Sequence, residues 1–146
     1  MRRHTEPTLF LDDQLCFPLY AASRLVTRLY QPLLEPFALT YPQYVVLLTL
    51  WQYGTQTVSE IGKKTFLESS TLTPLVKKLE AKELVHRTRR EEDERVVEVS
   101  LTSKAVDLQH QARGIPGKVI ERTKCSRKQA LELKTILYRL LSQLDT

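Results

Sequence analysis

Thr57 to Thr102 reads TVSEIGKKTFLESSTLTPLVKKLEAKELVHRTRREEDERVVEVSLT, and the order of signals within it decides the fold. TVSE is a capping box, a helix start in which Thr57 and Glu60 satisfy each other's backbone donors. It opens a short helix, VSEIGKKT. After a gap of about four residues, Ser69 or Ser70 is the expected cap of a second helix, with apolar positions at Leu72, Leu75, Val76, Leu79 and Leu84. That spacing is what a helix-turn-helix requires. LVHRTR and RVVEVSLT follow, both rich in β-branched residues and partly alternating, on either side of the polar turn REEDE. They predict a two-stranded hairpin, so the segment ends in a wing.

Upstream, TYPQ at Thr40–Gln43 is a second capping box with proline at an early helical position. The helix it opens runs through YVVLLTLW, whose nearly continuous apolar surface marks a buried scaffold element, and Gly54 ends it. Further back, Leu15, Leu19, Ala22, Val26, Leu29 and Leu33 form a narrow helical stripe. Asp12 or Asp13 is the expected cap of that helix, Pro18 is tolerated in its first turn, and Pro36 lies near its far end. Downstream, Thr102 caps a helix from Ser103 that Gly114, Pro116 and Gly117 should bend or break. SRKQ at Ser126–Gln129 is a third capping box. It opens a last helix with Ala130, Leu133, Ile136, Leu137, Leu140, Leu141 and Leu144 on its apolar positions.

The expected fold is mainly α: a winged helix-turn-helix with long N- and C-terminal dimerisation helices and a two-stranded β-hairpin wing. It forms a single domain over 1–146, with the winged helix-turn-helix at about 40–102 and the dimerisation helices at about 13–36 and 103–144. The terminal helices have too little core to cover their apolar faces, so a homodimer is expected. There is no internal repeat, and only the first ten residues look disordered.

The net charge of +5 permits a nucleic-acid partner, and the placement of the charge favours one. Ser69, Ser70, Thr71 and Thr73 cluster at the start of the second helix of the helix-turn-helix, where a recognition helix meets base edges. Small hydroxyls there allow close approach, although serine and threonine at a helix start also serve simply as caps. On the hairpin tip, Arg95 can enter a narrow minor groove, with Asp93 placed to orient its guanidinium. Lys77, Lys78, Arg87, Arg89 and Arg90 are the expected phosphate contacts. A solvated charged face is the bland alternative. Helix, turn, helix and basic wing in that order make duplex DNA the better expectation.

His4, His86, His110 and two cysteines show no zinc-ligand spacing, so neither a metal nor another cofactor is expected. No apolar run approaches the ~20 residues of a bilayer span, and the first residues carry no apolar signal core. The expectation is a cytoplasmic chain without a membrane partner, where a permanent structural disulfide is disfavoured. Cys16 then stands out, within LDDQLCFPLY near a helix start. A helix N-terminus favours the thiolate, the reactive form of the side chain. Its neighbours Leu15, Phe17 and Leu19 oppose ionisation. Cys16 as a small buried hydrophobe remains open on spacing alone.

DERVVEVSLT at Asp93–Thr102 resembles the wing signature of MarR-type winged-helix repressors. LCFPLY, YQPLLE, LTYPQYVVLLTLW and STLTPLVKKLE narrow the resemblance to the OhrR branch, which senses organic hydroperoxides, over about Leu11 to Thr102. The resemblance implies a homodimer that binds an inverted-repeat operator in double-stranded DNA and releases it when a reactive cysteine is oxidised. It places that cysteine on Cys16 and the tyrosines that hydrogen-bond its sulfur on Tyr30 and Tyr41. The DNA-facing positions fall on Ser69, Ser70, Thr71 and Arg95. Many OhrR-type proteins have Ser-Gly-Thr where this chain has Ser69-Ser70-Thr71, and aspartate where it has Glu68, so base preference is expected to differ in detail. Two-cysteine members also form an intersubunit disulfide, which points to Cys125 in TKCS as the resolving thiol, with a small-molecule thiol as the other candidate. The alternatives are a MarR-type regulator governed by a noncovalent phenolic ligand, with Cys16 as packing, and a broader MgrA- or SarZ-like thiol regulator. A third, a thiol peroxidase, has no nucleophile–base spacing to support it, so the chain is expected not to be an enzyme.

Overall fold

The computed structural model describes residues 9–145, so the disorder expected of the first ten residues lies, for 1–8, outside the described residues. After a 3-10 turn at Leu11–Asp13 come α1 (Cys16–Leu34), a second 3-10 turn at Glu35–Phe37 and α2 (Tyr41–Tyr53). The helix-turn-helix is α3 (Val58–Thr65) and α4 (Ser69–Ala81), preceded by the short strand β1 (Gln56–Thr57). The wing is β2 (Val85–Arg89) and β3 (Val97–Leu101). The chain closes with α5 (Ser103–Ala112), α6 (Ile115–Thr123) and α7 (Arg127–Leu144). The mainly helical winged fold expected of the sequence is the observed one.

Local signals hold where they are strongest. All three capping boxes form as read, at Thr40/Gln43, Thr57/Glu60 and Ser126/Gln129. Thr102 caps α5 by accepting from the Ala105 N–H, and the helix that follows is broken between Ala112 and Ile115. Gly54 ends α2 at φ 74, a backbone region costly for any residue with a Cβ.

Three readings need correction. Asp12 and Asp13 do not cap α1; they lie in the 3-10 turn, and the helix begins three residues further on. Ser69 and Ser70 do not cap α4 either. Glu68 takes the extended N-cap backbone with no side-chain cap bond, and both serines are already inside the first turn. β1 was not anticipated: two residues are too few to carry a period, and only pairing with β3 makes them a strand. The sheet order is β1-β3-β2, all antiparallel, with Gln56 opposite Val99 and Arg87 also opposite Val99 on the other side.

The chain divides into two units. The central one runs from Gln31 to Pro116. Its core is Val46, Leu47 and Leu50 of α2, Ile61 of α3, Leu72, Val76 and Leu79 of α4, and Leu84, Val85 and Val99 of the wing base. Gly62 lets α3 approach the start of α4: a Cβ there would lie 2.8 Å from the Leu67 carbonyl oxygen and 3.3 Å from Leu72 Cδ1. Because the nearer obstacle is backbone, Gly62→Ala is expected to destabilise the protein by about 1–3 kcal/mol, despite alanine's better helix propensity. Chemical denaturation at fixed protein concentration checks this, and the usual gain of an exposed Gly→Ala change is the opposite outcome.

The terminal unit comprises the residues up to Tyr30 and those from Gly117 onward. Within it, the Arg122 guanidinium donates to the Leu29 carbonyl at 3.0 Å. The unit leaves large apolar side chains in water: Leu15 just before α1, Phe17, Leu25 and Val26 of α1, and Leu131, Leu133, Ile136 and Leu144 of α7. No residue of α7 is buried within a single chain. Among the described residues, no single helix is long and apolar enough to cross a membrane.

Candidate DNA interface and thiol site

The first turn of α4 presents Ser69, Ser70, Thr71 and Thr73 to solvent, while Leu72, between them, is fully buried. Burial of Leu72 is therefore what turns the hydroxyl residues outward. Lys77 and Lys78 are exposed on the following turns. The wing meets this helix start: Ser69 and Thr73 of α4, Thr57 to Glu60 at the start of α3, and Arg90, Arg95, Val96 and Val97 of the wing line one open groove of about 450 Å³. Thus Ser69, Thr73, Arg90 and Arg95, chosen separately from the sequence, share one surface.

The basic residues divide into two kinds. Arg87 is tied to Glu80 of α4, with Nε 2.8 Å from Oε2 and the Arg87 backbone N–H donating to Oε1 at 3.3 Å. The Arg87 guanidinium holds the Glu80 carboxyl below the usual carboxylate range, so this clasp between recognition helix and wing persists at neutral pH. Arg90 donates from Nε to Glu98 at 2.7 Å, and that carboxylate holds the guanidinium above its ordinary value. Arg89, Arg95, Lys77 and Lys78 carry no ion pair among the described residues, and their side chains are exposed. Nothing in the sequence marks Glu80 and Glu98 as partners; seven or eight residues and a turn of chain separate each from its arginine.

Asp93 differs from expectation in the group it holds. Its Oδ1 accepts the Arg95 backbone N–H at 3.0 Å rather than the guanidinium. The tip is closed further by the Val96 N–H donating to the Asp93 carbonyl and the Arg90 N–H to the Val96 carbonyl. Asp93 therefore shapes the turn that projects Arg95, and leaves the guanidinium to solvent. Ser59, at the start of α3, was missed as a groove residue, although the capping box already placed it on an exposed helix start.

Cys16 is the first residue of α1, and its thiol is exposed. Cys125 lies in the linker before α7, also as an exposed free thiol, with its N–H donating to Thr123 Oγ1 at 3.3 Å. Tyr30 is half-buried on α1, in the same unit as Cys16. Tyr41 opens α2 in the central unit, where burial holds its phenol above the ordinary tyrosine range and keeps the hydroxyl proton in place as a donor. No group of His, Cys, Asp and Glu suited to a metal ion occurs among the described residues.

The family model "Transcriptional regulator SarA/Rot" matches residues 28–111, which span the end of α1, the helix-turn-helix, the wing and α5. The chain belongs to this family of transcriptional regulators. The winged fold of the family accounts for the groove, since α3, α4 and the wing converge in it. The organic hydroperoxide resistance transcriptional regulator of Bacillus subtilis is 46% identical over 92% of this chain and 91% of its own. The regulator SarZ of Staphylococcus epidermidis is 42% identical over 69% of this chain and 68% of its own. The OhrR-like resemblance drawn from LCF, TYPQY and DER is thereby established. Among solved structures is AbfR, also known from Staphylococcus epidermidis. Reduced AbfR bound to DNA aligns with a TM-score of 0.76 at 34% identity, over 93% of this chain and 95% of that one. Disulfide-formed AbfR aligns at 0.64 and 35%, over 92% and 89%.

Proposed function

We propose that this regulator binds an inverted-repeat operator in duplex DNA as a homodimer and lets go when an organic hydroperoxide oxidises Cys16. The observation that carries this is the exposed thiol at the first position of α1, in a chain whose relatives include a regulator of organic hydroperoxide resistance. The apolar side chains left exposed on α1 and α7 supply the surface a second copy would cover. In each protomer α4 enters the major groove with Ser69, Ser70, Thr71 and Thr73 at its leading end, while Arg95 reaches the adjacent minor groove. Lys77, Lys78 and Arg89 neutralise phosphates. Arg87 and Arg90, being paired, act first as braces of the wing.

The thiolate of Cys16 attacks the O–O bond of the hydroperoxide. Sulfur is oxidised to sulfenic acid, the peroxide is reduced, and the alcohol departs with a proton. Tyr30 and Tyr41 are the phenols that the family resemblance assigns to stabilising this thiolate. The thiol of the partner subunit's Cys125 then condenses with the sulfenic acid, forming the disulfide and expelling water. The existence of a disulfide-formed state of AbfR supports a disulfide as the outcome of oxidation, and Cys125 is the other exposed thiol among the described residues. The protein is consumed rather than turned over, which makes it a sensor and not an enzyme, and it works in the cytoplasm, where its DNA is. The second reading is a broader SarZ-like thiol regulator, and SarZ is among the relatives this chain resembles.

The test begins with duplexes enriched from a random library by the reduced protein. Cumene hydroperoxide is then titrated in, with operator affinity and non-reducing gels read together. Wild type is expected to lose the operator as a dimer-mass band appears, whereas Cys125→Ser gives no band and stays bound. Unchanged binding by oxidised wild type overturns the redox switch. Operator loss in Cys125→Ser without added thiol removes Cys125 from the mechanism.

A further inference from the structure

Where α4 ends, three parts of the central unit are tied together by one side chain. Lys82 follows the last residue of α4, and its ammonium donates to the carbonyl of Ala38 and to Gln43 Oε1, the latter at 2.9 Å. Ala38 sits at φ 52, the left-handed residue that closes the 3-10 turn after α1. Gln43 is 2% exposed, and the same Oε1 accepts the Thr40 N–H at 3.1 Å as half of the α2 capping box. The other side of the joint reaches the base of the wing. The Lys82 carbonyl accepts from Lys104 Nζ at 2.9 Å, and the Glu83 carbonyl from Thr102 Oγ1 at 2.7 Å. Thr102 joins β3 directly to α5.

We propose that Lys82 is a positioning residue that makes the recognition helix and wing follow the α1–α2 corner, so that displacement of α1 on oxidation of Cys16 is delivered to the DNA-reading elements. This rests on the redox reading above and extends it from the sensor to the readout. α1 is a single helix from Cys16 to Leu34, with Pro32 in its last turn, and enters the corner within a few residues, so a shift of its C-terminal end arrives at Ala38. α4 is one continuous helix about 20 Å long, running through Pro74. A shift imposed at its Lys82 end therefore moves Ser69–Thr73 at the other. The apolar contacts between α2 and α4 hold these helices together but are non-directional and tolerate sliding. A charged donor on two fixed oxygens does not tolerate it, and such a joint has discrete rather than continuous alternatives.

The test compares wild type, Lys82→Met and Lys82→Arg on a duplex enriched by reduced wild type, before and after cumene hydroperoxide, with disulfide formation followed on the same samples. Wild type is expected to weaken by a factor within roughly 5 to 150, the usual span of allosteric coupling. Lys82→Met should form its disulfide at the wild-type rate, yet weaken by no more than about threefold, because helix and corner no longer move together. Lys82→Arg, which can still reach both oxygens, should recover most of the wild-type ratio. If Lys82→Met fails to fold, as a thermal melt would reveal, Lys82→Gln takes its place with the same compressed ratio expected. A wild-type ratio in the folded variant overturns the joint and leaves the redox reading standing. Slow or absent disulfide formation in the variant overturns it too, by placing Lys82 at the thiol end. If oxidised wild type keeps its DNA, the redox reading falls and the joint falls with it.

Discussion

Cys16→Ser is expected to bind the operator as wild type does and to keep it through any dose of cumene hydroperoxide that releases wild type. Serine differs from cysteine by one atom, and the side chain is exposed, so the fold should change by no more than about 0.5 kcal/mol. Its hydroxyl is not ionised at neutral pH and does not attack a peroxide. The predicted difference therefore lies wholly in the response: a loss of roughly 5- to 150-fold in operator affinity for oxidised wild type, and none for the variant. Fluorescence anisotropy of a labelled operator duplex measures both. The same variant separates the covalent switch from regulation by a noncovalent phenolic ligand, under which Cys16→Ser would respond as wild type does. Release of operator from oxidised Cys16→Ser would end the assignment of Cys16 as sensor.

Leu72→Ala is expected to be the most damaging of the substitutions considered for stability. Leu72 is fully buried between the exposed hydroxyl residues of α4, and its Cδ1 lies against the tight α3–α4 crossing at Gly62. Removing its outer carbons leaves a cavity walled by two helices held close by backbone contact, so relaxation has little room. The cost is about 2–5 kcal/mol, seen as a lower denaturant midpoint with unchanged slope. DNA affinity of the surviving folded protein should fall as well, because Leu72 is the side chain that turns Ser69 to Thr73 toward solvent. Thr71→Ala, on the outward side of the same turn, is the control, and loss of DNA affinity with little loss of stability is expected there. Equal stability of wild type and Leu72→Ala would contradict the packing described for α4.

The amino-acid sequence by itself determined what local physics controls. Capping boxes bind a side chain to a backbone N–H three residues away, so Thr40, Thr57 and Ser126 announced their helices, and all three hold in the structure. Period and turn composition likewise announced the wing, and the motifs around Cys16, Tyr41 and Arg95 announced the family. Other features depended on residues distant in the chain, and only the tertiary structure decided them. β1 exists because β3 pairs with it. Arg87 and Arg90 are braces because Glu80 and Glu98 lie beside them in space. Lys82, an unremarkable lysine at a helix end, becomes a joint because a corner 44 residues away turns a carbonyl toward it. The physical reason is the same in each case: a hydrogen bond or ion pair has a range of a few ångströms, and only folding decides which distant groups come within it.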